Sequence, residues 1–245
     1  MTTLLLRLAG PMQSWGTQSR FSIRDGASEP SKSGVVGLLC AALGRPRWEP
    51  VDDLATLRMG VRVDLPGVAR VDYQTAGGTH RTGERYGVIK ADGSRGETVT
   101  SRRHYLSDAD FLVGLEGDRA LVERLSEAIE RPRWQIFLGR KSYVPAAPVL
   151  VGLRVDPLEE ALRTEPWPGE HRTDQRRMRR LLADDAEHQL RVVLEQPDGS
   201  GEDIRSDQPL GAAFETRVFA LRSVKTTFYA VGNSGTSVPF RLGED

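Results

Sequence analysis

The chain of 245 residues holds a single cysteine, Cys40, and four scattered histidines. One thiol excludes an internal disulfide and any thiolate metal cluster, and the histidines have no zinc-ligand spacing. Net charge is lacking too, since 34 basic residues face 34 acidic ones. No bulk field therefore draws the chain to nucleic acid or to an anionic membrane. No apolar run is long enough to span a bilayer. The first residues lack the basic segment and cleavage site of a secretory signal, so a reducing, cytoplasmic setting is expected. Walker and dinucleotide fingerprints and a nucleophile elbow are missing as well. No cofactor or metal is expected.

What is there begins with residues 3–43. Leu4, Leu5, Leu6 and Leu8 read as a buried strand stopped by Gly10-Pro11. Val35, Val36, Leu38, Leu39, Cys40 and Leu43 recur at helical spacing and are apolar almost all round, so that helix must be covered on most sides. The long loop between them carries Gln13, Trp15, Gly16, Gln18, Arg20, Phe21 and Arg24. Long loops with aromatics and arginines inside a compact domain point to function. The helix opens at Ser31-Lys32-Ser33-Gly34, where free N–H groups and the dipole favour an anion; Ser31 or Ser33 equally suits an N-cap.

Further along, Arg58–Asp64 alternates as a strand and Val68–Tyr73 resumes it. Residues 75–98 are glycine-rich and polar, an exposed excursion. Val99–Leu106 and Asp110–Glu116 read as two strands, and Asp118 as the N-cap of a helix over 119–130. Trp134–Leu138 reads as a strand, 157–163 as a short helix, and Leu190–Leu194, Phe214–Leu221 and Phe228–Val231 as closing strands. The tail from Gly232 reads as loose. The early order is β-α-β-β-α-β with an inserted hairpin, an α+β, ferredoxin-like (RNA-recognition-motif-like) arrangement. The expected organisation is a palm of 1–72 and 107–245, with a β-rich C-terminal extension, and a thumb hairpin over 73–106.

Charge is unevenly spread. Residues 11–48 hold five cations against two acids, and 70–104 seven against four. Residues 184–215 hold nine acids against Arg191 and Arg205. A polar molecule of this kind can hold RNA on one face and a basic partner on another. The run 170–182 carries five arginines on a predicted helix and reads equally as an RNA contact or a self-neutralised solvated face. In GRKSYVPAAPV (139–149), Gly139 admits close backbone approach, Arg140 and Lys141 suit phosphates, Ser142 can donate and Tyr143 can stack on a base. In TSRRHYL (100–106), Arg102 and Arg103 point to opposite sides of a strand, followed by His104 and Tyr105. Both stretches also suit ordinary turn and hairpin surfaces.

The stretches LRLAGPMQSWG (6–16), PSKSGVVGLLCAALG (30–44), VDYQT (71–75), RRHYLSDADFLVGL (102–115) and LGRKSYVPAAP (138–148) together resemble the CasD subunit family of the type I-E CRISPR Cascade complex. The resemblance covers about the first 150 residues. It implies a ferredoxin-like palm with a β-hairpin thumb in the repeat-associated RNA-binding superfamily. It also implies capping of the guide-RNA 5′ handle, with the backbone subunit and the large subunit as partners and target DNA reached through the complex. Guide cleavage belongs to another subunit in that type, so a non-catalytic protein is implied. By position, Gln13, Trp15, Gly16, Lys32, Ser33, Gly34, Arg102, Arg103, Tyr105, Gly139, Arg140, Lys141 and Ser142 would be handle contacts, with Arg20 and Arg24 on the same loop. Tyr143 departs from the small residue of the family pattern. The alternative is a metal-independent endoribonuclease that processes repeat RNA and recruits Lys141, His104 and Tyr105 or Tyr143 as acid and base. A small-molecule enzyme built on the helix-start anion site has no supporting constellation.

Overall fold

The leucines of the first strand are all sealed in, Leu4, Leu5, Leu6 and Leu8 alike, because that strand lies inside a large antiparallel sheet. A computed structural model describes residues 1–17, 23–79, 85–86, 88–89, 93–94, 96–167 and 189–230. In chain order the strands are β1 (Thr2–Gln13), β2 (Ile23–Arg24), β3 (Arg58–Leu65), β4 (Val68–Ala76), β5 (Gly78–Thr79), β6 (Arg85–Tyr86), β7 (Val99–Gly117), β8 (Leu150–Arg154), β9 (Gln189–Glu195), β10 (Asp203–Pro209) and β11 (Phe219–Ala230). The helices are α1 (Lys32–Leu43), α2 (Asp52–Ala55), α3 (Arg119–Glu130), α4 (Leu158–Thr164) and α5 (Ala213–Thr216). The main sheet runs β10-β11-β9-β3-β7-β1-β8, and β2 and β4 also pair with β7. Among the described residues no helix is long and apolar enough to cross a membrane.

Helices cover both faces of the sheet. On one face α1 and α3 pack over Leu4, Leu6, Leu8, Val61, Phe111 and Val113. Local chemistry fixes both helix starts: Ser31 Oγ accepts from Gly34 N, and Asp118 accepts from Leu121 N. On the other face α4 lays Leu158 and Leu162 against Leu5, Leu112, Val192 and Leu194. Gly60 and Gly114 make that approach possible. A Cβ at either would lie 2.6 Å or 2.5 Å from a leucine methyl of α4. Burying each of those leucines stabilises the fold by roughly 1.5–3 kcal/mol. Arg62, buried beneath α4, donates to the Leu162 and Glu165 carbonyls at 2.6 and 2.7 Å and pairs with Asp64 at 2.7 Å. A cation at a helix C-terminus also complements the dipole.

β7 differs most from its expected form. It is one strand of 19 residues, not two. Its second half pairs with β1 and β3 inside the sheet, and its first half pairs with β4, Val68 facing Ser107 and Ala76 facing Val99. Asp108, at φ 56°, bends the strand where the two halves meet. The β4–β7 ribbon thus leaves the sheet as an arm, and most of β4 is exposed. The arm begins at Val68, and residues 77–98 connect its two strands in sequence.

Other expectations are also corrected. β1 runs through Gly10-Pro11 to Gln13. Proline is accommodated because β8 flanks β1 only at Thr3–Leu6, so no partner needs the missing N–H there. Trp134–Leu138 is not a strand, because its backbone bonds elsewhere: Trp134 N donates to Ala41 O, and Leu138 N to Tyr143 O. Residues 213–216 form α5, and β11 runs unbroken from Phe219 to Ala230. β10 was not expected at all. β9 pairs with β3, so the C-terminal strands widen the same sheet. The basic run 170–182 and the tail from Gly232 lie outside the described residues.

Candidate nucleic-acid interface

At one end of the sheet the end of β1, the β2 segment, the start of α1, the root of the arm and the 138–143 turn come together. Gln13 begins the construction. It is fully buried, and its amide donates to the Leu8 and Ala109 carbonyls at 2.9 and 2.8 Å. Its oxygen accepts from the Trp15 indole at 3.1 Å. Trp15 is buried against Gly34, where a Cβ would lie 2.8 Å from the ring. Ala27 N then donates to Trp15 O at 2.8 Å, closing the loop that contains β2.

Ser14 links this core to its neighbours. Its N–H donates to Leu138 O at 3.1 Å and its hydroxyl to His104 O at 3.0 Å. The same His104 carbonyl accepts from Arg140 at 3.0 Å. Gly139 sits at φ 85°, and a Cβ there would fall 1.8 Å from Ser14 O, so only glycine lets the turn seat against the end of β1. Tyr143 N returns to Arg140 O at 2.8 Å and tightens the turn. Arg140 also donates to the Tyr143 hydroxyl at 3.0 Å and stacks over its ring at 5.5 Å.

Around this scaffold stand the exposed groups Gly16, Arg24, Arg102, Lys141 and Ser142, with Arg103, Arg140, Tyr105 and Ser33 half-buried. β2 pairs in parallel with β7, Arg24 beside Arg103 and Ile23 beside Arg102. Side chains alternate along a strand, so Arg24, Arg103 and Tyr105 share one face of the ribbon. The Tyr105 ring lies 6.0 Å from Tyr143, which puts the Arg140 turn on that face. On the other face Arg102 stands between Ile23 and Tyr73, both exposed.

Four expectations are corrected. Lys32 is not a surface cation. It is 1% exposed and its ammonium donates to both Glu195 oxygens at 2.7 and 3.0 Å. Burial lowers its pKa, and Glu195 opposes that shift. Trp15 and Gln13 are core groups, so neither can stack on or bond to a ligand from this position. The start of α1 does attract an anion, but it is the protein's own: Asp207 accepts from Lys32 N at 2.7 Å, and Gly34 N is taken by Ser31. Tyr143 is buried in the turn it closes, so it does not offer its face to a base. Arg20 lies outside the described residues. Glu29, Ser14 and Asp207 were missed. Glu29 is buried between Arg191 and Arg205, at 2.9 and 3.3 Å, and their charges with Ser28 hold its carboxyl low against the effect of burial. Among the described residues no group of three or more His, Cys, Asp or Glu side chains is placed to hold a metal ion.

The comparisons with known proteins agree on one family. A family model described as CRISPR-associated protein (Cas_Cas5) matches residues 3–225. The CRISPR system Cascade subunit CasD of Escherichia coli (strain K12) is 33% identical over 186 residues, 68% of this chain and 79% of that protein. A crystal structure of a Cas protein matches with a TM-score of 0.68 and 43% identity, over 93% of this chain and 95% of that one. A chain of a CRISPR RNA-guided surveillance complex matches with a TM-score of 0.75 and 33% identity, over 94% and 90%.

Proposed function

Since this chain belongs to the Cas_Cas5 family of CRISPR-associated proteins, we propose that it is a non-catalytic RNA-binding subunit of a CRISPR surveillance complex. In this reading it caps the 5′ handle of the guide RNA and joins the complex's backbone subunit to its large subunit. Target DNA is met through the assembled complex. The observation that carries the reading is the convergence at the arm root. Arg24, Arg103 and Arg140 gather on one side, with Lys141, Ser142 and Gly16 exposed beside them. Cations and small hydrogen-bonding groups on a rigid frame suit a single-stranded phosphate backbone, which such contacts position without reading sequence.

The strands β3-β7-β1-β8, with α1 and α3 on one face, serve as the ferredoxin-like palm. The β4–β7 arm serves as the thumb, and its tip meets the neighbouring backbone subunit. Gln13, Trp15, Lys32 and Gly34 act behind the surface, holding the loop and helix that present the contacts.

The test is to purify the tagged chain from cells that express the whole system and to sequence any bound RNA. Guides of uniform 5′ end, recovered with the other subunits, are expected. Recovery of neither RNA nor partners overturns the proposal. So does specific metal-independent cutting of repeat RNA that is lost in Lys141→Ala or His104→Ala.

A further inference from the structure

A four-residue sequence occurs twice, once after each long helix. Arg45-Pro46-Arg47-Trp48 follows α1 and its Gly44 cap, and Arg131-Pro132-Arg133-Trp134 follows α3. The fold brings the two copies to one place, the C-terminal end of α1. Arg133 N donates to Ala42 O at 2.9 Å and Trp134 N to Ala41 O at 3.1 Å. The Arg133 stem packs so closely on Gly44 that a Cβ there would lie 2.2 Å from it. In the first copy Arg45 is tied down, donating to Pro50 O at 3.0 Å and to Asp53 at 2.6 and 2.8 Å. Glu49 N closes the turn on Pro46 O at 3.2 Å. Both copies are thus anchored, and Arg47, Trp48, Arg131, Arg133 and Trp134 remain exposed.

The chain has four tryptophans. Trp15 and Trp167 are buried, whereas Trp48 is 69% and Trp134 46% exposed, and these two belong to the repeated sequence. Arg47, Arg131 and Arg133 are exposed beside them. Isolated exposed side chains need no explanation, but two indoles and three guanidiniums on a built frame do.

We propose that this paired Arg-Pro-Arg-Trp surface is a second nucleic-acid contact, which takes a single strand of RNA or DNA by stacking on the two indoles and pairing with phosphates. The chemistry favours a strand over a protein partner. A protein interface needs a contiguous apolar core of several hundred Å², and here each indole is flanked in the chain by an arginine and a polar residue, Arg47 and Glu49 for Trp48 and Arg133 and Gln135 for Trp134. Discrete aromatic platforms with cations between them suit successive bases and phosphates, without sequence preference. The surface lies at the opposite end of α1 from Ser31–Gly34, about 18 Å away for a twelve-residue helix, so it is distinct from the site at the arm root.

The test locates binding on the intact chain. Bromouracil-substituted 20-mers, one RNA and one DNA, are photocrosslinked to the full-length protein and the adducts mapped by mass spectrometry. Adducts on Trp48 or Trp134 are expected, and the better-yielding oligomer identifies the strand type. Affinity is measured in parallel for a Trp48→Ser, Trp134→Ser chain and an Arg47→Ala, Arg131→Ala, Arg133→Ala chain. The first should bind about tenfold or more weakly with an unchanged salt slope. The second should lose up to about 2 from the magnitude of the log–log salt slope. Adducts confined to the arm root, or unchanged affinity in both variants, overturn the proposal. Lower melting temperature with unchanged affinity would make the repeats helix-end anchors. Loss of co-purifying subunits with unchanged affinity would make them a protein contact.

Discussion

Lys32 and Glu195 meet 163 positions apart in sequence, and neither residue alone reveals the other. An ammonium at the head of a helix, in a loop rich in arginine, reads as a ligand for phosphate. Only the arrival of Glu195, the last residue of β9, turns it inward. Breaking such a pair leaves a buried charge uncompensated and costs about 3–5 kcal/mol, whereas replacing both partners by apolar groups can be neutral. Lys32→Met should therefore lower stability by about that amount, and Lys32→Met with Glu195→Leu should recover at least half of it. Chemical denaturation of the three chains checks this; a loss under ~1 kcal/mol in the single variant would contradict it. Asp64 offers a second test. Burial raises its carboxyl to about 6, against the pull of Arg62. The native state holds that proton more tightly than the unfolded chain, where an aspartate titrates near ~3.9. The stabilisation is thus complete below about pH 4 and is lost as pH rises through about 6. Urea midpoints across that window should show Asp64→Asn gaining on the parent by ~1–3 kcal/mol as pH rises. A pH-independent difference would refute the shift.

Elements whose signals are local were legible, and those defined by distant partners were not. Ser31 and Asp118 announce their helices because a cap is a short-range bond. Ser107-Asp108-Ala109 separates two expected strands, yet β1 pairs with Ser107 and Ala109 and β4 with Ser107, so β7 runs through it as a bend. Asp203–Pro209 has no apolar alternation and is a strand only because β11 pairs with it. Arg140 and Lys141 were legible as a cationic turn, but the burial of Tyr143 rests on contacts with Arg140 and the Tyr105 ring that the sequence does not announce. The arm invites a direct test. Ala76 faces Val99 in register, so residues 77–98 can be replaced by an Asn-Gly turn that matches a two-residue hairpin. The shortened chain should melt within a few degrees of the parent and fail to join the rest of the complex. Normal assembly, followed by size-exclusion chromatography, would remove the tip from the interface.

On the scale of the whole molecule, zero net charge conceals a local field. With Lys32 withdrawn and Arg102 on the opposite face, Arg24, Arg103, Arg140 and Lys141 are the cations that the proposed RNA contact would use at the arm root. Three or four single-strand contacts give a log–log salt slope of roughly −2 to −3. Affinity for handle RNA over a salt series should show that slope, and Arg140→Ala should reduce its magnitude by up to ~0.7. A flat response would leave these residues as ordinary surface charge. In the acidic stretch toward the C-terminus, which reads as an interaction surface, two carboxylates are spent inside, Glu195 on Lys32 and Asp207 on Arg222 and the head of α1, while Asp198, Glu202, Asp203 and Glu215 are exposed. The long β7 strand has a mechanical consequence. Any partner that grips the arm pulls on the same polypeptide segment that runs through the middle of the sheet. Tension along that axis loads the hydrogen bonds to β1 and β3 in shear, all together, and cannot peel them one by one. The arm behaves as a tendon set into the body of the protein, so a large assembly can strain against it without tearing the subunit open at its root.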